Sequence, residues 1–104
     1  MARLVIAGIA LVLGAAAVVA ESDADRAARC AAQATLVEAL VAQRADGAEM
    51  QAAIDAVHAE HTDMDDRLTD PMPLLADWVY AVPPEQLDDG VAESFAAACT
   101  AYEG

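Results

Sequence analysis

A chain of 104 residues with 18 acidic and five basic side chains, none of them lysine, carries a formal net charge of −13 at pH 7. Such a field repels DNA, RNA and anionic lipid headgroups, which excludes nucleic-acid binding, and it attracts cationic partners or metal ions. The length allows one small domain and no more.

Residues 1–20 have the layout of a secretory signal. Met1-Ala2-Arg3 supplies a basic start, Leu4 to Val19 is apolar throughout, and the small residue Ala20 stands just before the acidic stretch Glu21-Ser22-Asp23. The expectation is a signal peptide over 1–20, cleaved after Ala20, and an acidic helical domain over 21–104. Losing Arg3 takes the charge from −13 to −14. The competing reading is an uncleaved anchor, which would be the chain's one contact with a membrane. The apolar run is about 16 residues, short of the roughly 20 that span a bilayer. Gly8 and Gly14 weaken a long helix further. Cys30 lies well beyond Ala20, which argues against a lipid-anchored terminus.

Alanine, the best helix former, dominates the rest of the chain, and segments of β-branched alternation are few. The expected class is all-α: a small antiparallel four-helix bundle or orthogonal helical domain with a thin core. A first helix is expected from about Asp23 to Ala45. Ser22 with Asp25 gives it a capping signal, and its apolar stripe is Cys30, Ala34, Val37 and Val41 with Leu36 and Leu40 on the flanks. Asp46-Gly47 ends it, because glycine accepts the left-handed conformation common at helix ends.

A second helix is expected from about Ala48 to His61, capped by Asp46 with Glu49 and striped by Met50, Ile54 and Val57. The short connection makes helices one and two a hairpin. The third helix starts at Asp70-Pro71, with Pro71 at its first position, and puts Leu74, Leu75, Trp78 and Val79 on one face. Pro83-Pro84 ends it. The fourth runs from about Pro84 to Tyr102 along Leu87, Val91, Phe95, Ala98 and Tyr102, with Gly90 as an interior weak point.

Cys30 and Cys99, an even pair in an exported chain, read as one disulfide joining the first helix to the last. Closing a loop of about 70 residues is worth roughly 4 kcal/mol in the chain-entropy model. The pair lacks the Cys-x-x-Cys spacing of a redox motif. His58 and His61 share a helix face beside Glu60, Asp63, Asp65 and Asp66, which makes them the candidate divalent-metal ligands. The spacing fits neither a zincin nor an EF-hand. Near a helix C-terminus a histidine also complements the dipole. Trp78, Tyr80, Phe95 and Tyr102 have the spacing of core residues.

No Ser-His-Asp arrangement, haem attachment or phosphate-binding glycine loop is present, so no enzyme and no cofactor are expected. The primary expectation is a periplasmic or secreted protein that binds a protein partner, a cationic one by its charge, through a helix face. It requires an exposed apolar patch beside an acidic rim. An acid-responsive periplasmic chaperone is the first alternative. Size, one disulfide and helical content are similar in outline to the periplasmic acid-stress chaperones of enteric bacteria, without a shared motif. Metal binding through His58 and His61 is the second.

Overall fold

The first helix is the scaffold on which the others are arranged. The computed structural model describes residues 21–102, so the signal-peptide expectation for residues 1–20 lies outside the described residues. The chain is all-helical there: α1 Asp23–Ala45, α2 Met50–Glu60, the single turn α3 Asp66–Thr69, α4 Met72–Ala81, a 3₁₀ turn Pro84–Gln86 and α5 Gly90–Ala101. None of the described helices is long and apolar enough to cross a membrane.

The ends of α1 follow from local chemistry. The Ser22 hydroxyl accepts from the backbone N–H of Asp25 at 3.0 Å, and Asp23 and Asp25 complement the positive end of the helix. At the other end Gly47 has φ +94°, its N–H bonds to the carbonyl of Arg44, and the N–H of Ala48 bonds to that of Gln43. This pair of bonds is the Schellman arrangement, and it needs a residue tolerant of positive φ.

Several boundaries differ from the expectation. α2 begins at Met50 behind Glu49, because Asp46 is occupied in closing α1 and the capping box from Asp46 to Glu49 does not form. The polar stretch before Pro71 contains the extra turn α3, started by the Asp65 carboxylate accepting from the N–H of Arg67. Pro71 precedes α4 rather than opening it, and Pro73 takes the place in the first turn where a missing N–H costs nothing. The fourth segment divides into the 3₁₀ turn and α5. The Asp88 carboxylate accepts from the N–H of Gly90 at 2.8 Å, so Gly90 begins a helix instead of interrupting one.

The core is small: Leu36, Val37 and Leu40 of α1, Ala53 and Val57 of α2, Met72, Leu75, Ala76 and Val79 of α4, and Val91 of α5. On α1 the buried line is Cys30, Gln33, Leu36, Val37 and Leu40, rotated from the expected stripe so that Ala34 and Val41 sit at its edge. α1 and α5 run antiparallel. Cys30 is bonded to Cys99, Thr35 and Ala96 border one surface depression, and Val41 and Leu87 border another nearer the far end of α1. α1 also packs on α2, the expected hairpin, and on α4.

Arg44 and Tyr80 lock the far end. The guanidinium donates to the terminal carbonyls of α4, Val79 at 2.7 Å and Val82 at 2.6 Å, and lies 5.6 Å from the Tyr80 ring centroid. The Tyr80 hydroxyl donates to the carbonyl of Ala48 at 2.7 Å. Burial pushes the Tyr80 phenol above its ordinary value of 10.0, with Arg44 opposing. The folded chain therefore holds that proton more tightly than the unfolded chain does. The contribution to stability is complete below about pH 10 and is lost as pH rises through the folded-state value. Tyr80→Phe should flatten the alkaline limb of the stability curve, read by urea denaturation at stepped pH.

Candidate docking groove

α4 has more apolar surface than its core-facing side can use. In the segment Met72–Ala81, Met72, Leu75, Ala76 and Val79 point inward. The surplus falls on the outer side, where Leu74 is 71% exposed and Trp78 41%. The turn at Asp88–Gly90 sets α5 beside this surface, with the Phe95 ring centroid 6.0 Å from that of Trp78 at a tilt of 51°. Tyr102, just past the end of α5, is 68% exposed. Of the four aromatic residues expected in the core, then, only Tyr80 and Phe95 are even half-buried. An α4 apolar on several sides and a short α5 leave Trp78 and Tyr102 outside.

Between α1, α4 and α5 Leu74, Phe95 and Tyr102 border a groove of about 380 Å³, lined also by Arg29, Gln33 and Leu75 among others, while Trp78 stands beside it against Phe95. Cys99 stands in its wall, and its sulfur accepts a long contact of 3.6 Å from Arg29. Gln33 is 93% buried, being 7% exposed, yet the side-chain hydrogen bonds of this stretch of α1 come from its neighbours. Arg29 reaches Glu21 and Thr35 reaches the carbonyl of Ala31, and among the described residues nothing meets the Gln33 amide. Sequence reading passed over Gln33. Its signal was a polar residue three positions after Cys30 and three before Leu36, on the apolar line itself.

The surroundings are acidic and uncompensated. Asp70, which ends α3, and Asp77 on α4 are exposed, and Glu85 and Asp88 border a separate depression that Trp78 also lines. The described arginines are all committed. Arg29 forms a two-pronged pair with Glu21 at 2.8 and 2.9 Å, and Arg26 approaches the same carboxylate at 3.8 Å. Arg67 pairs with Asp65 at 3.3 Å, and Arg44 serves the α4 carbonyls. The hydrogen bond from Arg29 holds the Glu21 carboxyl below its ordinary range, and that from Arg67 does the same for Asp65. Both pairs line a second depression, whose charges are thereby satisfied internally.

His58 is exposed, while His61 is half-buried at the end of α2. The Nδ1–H of His61 donates to the carbonyl of Val57 at 2.9 Å, which fixes that tautomer on a backbone acceptor. Among the described residues no three His, Cys, Asp or Glu side chains come together as a metal-holding group.

Comparison with protein-family models, curated proteins and solved structures finds no match for this chain.

If Leu74 on the outer face of α4 and Tyr102 after α5 belong to a surface rather than to the core, both side chains should be dispensable for folding. Leu74→Ser and Tyr102→Ser should each change stability by no more than about 0.5 kcal/mol. Leu75→Ala, one residue away, should cost about 2–5 kcal/mol. Urea denaturation of the variants measures both.

Proposed function

We propose that this is an exported, non-catalytic protein that binds another polypeptide, with the groove between α1, α4 and α5 taking an apolar segment of its partner. The observation that carries the reading is the coincidence of exposed Leu74 and Tyr102 on one apolar groove, with exposed Trp78 packed against Phe95 of its wall, in a chain otherwise rich in charge. Exposed apolar side chains clustered this way mark interaction surfaces. The uncompensated carboxylates favour a partner with basic residues beside its apolar anchors, mainly by speeding encounter and rejecting acidic competitors. The groove is open in the folded chain, so docking does not depend on acid loosening the helices. The Cys30–Cys99 disulfide suits an oxidising compartment, as export requires.

Two capped peptides with the same apolar centre, Val-Leu-Val-Phe, test this reading, one flanked by paired lysines and one by paired glutamates. Trp78 emission, sensitive to the Phe95 ring 6.0 Å away in the groove wall, reports occupancy. The lysine-flanked peptide should bind and weaken as salt is raised, and Leu74→Ser should reduce its affinity by about tenfold. Equal binding of both peptides would show that charge plays no part, and binding indifferent to Leu74→Ser would reduce the effect to general charge attraction; either result contradicts the proposal.

A further inference from the structure

A primary amide buried without a partner inside an apolar groove calls for a ligand that completes it. Leaving such a group unsatisfied is unfavourable, and buried polar groups in folded proteins are overwhelmingly hydrogen-bonded. Among the described residues Gln33 is in this condition, at 7% exposure and with no side-chain hydrogen bond. It sits on α1, while its groove is walled by Leu74 and Leu75 of α4 and by Phe95 of α5, with Tyr102 just beyond. A glutamine side chain offers one acceptor oxygen and two donor hydrogens, the same complement a peptide group needs. Resting on the reading above that the groove binds polypeptide, we infer that its ligand is an extended segment whose backbone amide pairs with the Gln33 side chain.

The chemistry selects extended over helical chain. Within a helix the backbone N–H and C=O groups are already bonded to each other, so a docked helix would leave the Gln33 amide as unsatisfied as before. An extended segment carries unpaired groups at each residue, and its alternate side chains point to opposite sides. One side can then enter the space bordered by Leu74, Phe95 and Tyr102 while the backbone lies against Gln33. Main-chain hydrogen bonds of this kind supply affinity, and pockets for alternate side chains supply selectivity. The ligand class is an unfolded or strand-like apolar segment with basic flanks, and a folded helix or a second copy of this chain does not meet the requirement.

The test uses the lysine-flanked Val-Leu-Val-Phe peptide and an analogue N-methylated at its central backbone amides, each titrated against the oxidised protein and against Gln33→Leu. N-methylation and Gln33→Leu should each weaken binding by about tenfold, and the second change should add little once the first is made, because both remove one bond. Gln33→Leu should leave the urea midpoint unchanged or raise it, since it removes an unsatisfied polar group. If Gln33→Leu weakens both peptides equally, the loss is steric and the inference falls. If it lowers the stability of the fold, Gln33 is structural and the inference also falls. If Leu74→Ser weakens binding while Gln33→Leu and N-methylation do not, the groove reading stands and backbone recognition is wrong. Binding that ignores all three changes would remove both.

Discussion

The covalent bond between Cys30 and Cys99 is the constraint on which the arrangement depends. α5 is 12 residues long, at the length where an isolated helix is marginal in water. It contributes one buried side chain, Val91, to the core, with Phe95 and Ala92 packed at its edge. Its broad contact is with α1, through small residues such as Ala31, Ala34, Ala92 and Ala96 that allow close approach and bury little area. Hydrophobic burial alone is therefore a weak hold on α5. The disulfide supplies the rest by joining residues 69 apart in sequence, at the end of α5 where no core residue reaches. The groove follows from this, since its wall of Phe95, Ala98 and Cys99 exists only while α5 lies against α1.

Charge sets the other boundary condition. With no lysine and each described arginine engaged within the chain, most carboxylates face solvent without a counter-charge. Exposed ion pairs of the Glu21–Arg29 kind add little to stability. What the charge does is keep copies of the chain apart while apolar side chains stand exposed, and give the molecule as a whole a field that attracts cations. On the proposed reading, solubility and selectivity for basic partners come from the same residues.

Much of the fold was legible because it rests on local chemistry. The Ser22 cap, the Gly47 exit and the helical period of α1 are each signalled within a few residues, and two cysteines in a helical chain of this charge left one pairing to consider. The groove was harder to read for a physical reason. Leu74 and Leu75 are adjacent and equally apolar, and only packing against α1 and α2 decides that Leu75 turns inward while Leu74 does not. Trp78 and Tyr102 matched a helical stripe but lie where no other described helix covers them. Gln33 was overlooked because Ala34 beside it satisfied the same period. The expected break at Gly90 became a helix start through one side-chain bond from Asp88, a detail that spacing does not contain.

The measurement that tests this account most directly is amide hydrogen exchange, residue by residue, on the oxidised protein and again after reduction at neutral pH. Exchange protection resolves opening of one element from opening of the whole. The account predicts that reduction strips protection from α5, Gly90–Ala101, while the amides around Leu36, Val37 and Leu40 of α1 keep most of theirs. Unchanged protection in α5, or a loss of equal size through α1, would contradict it.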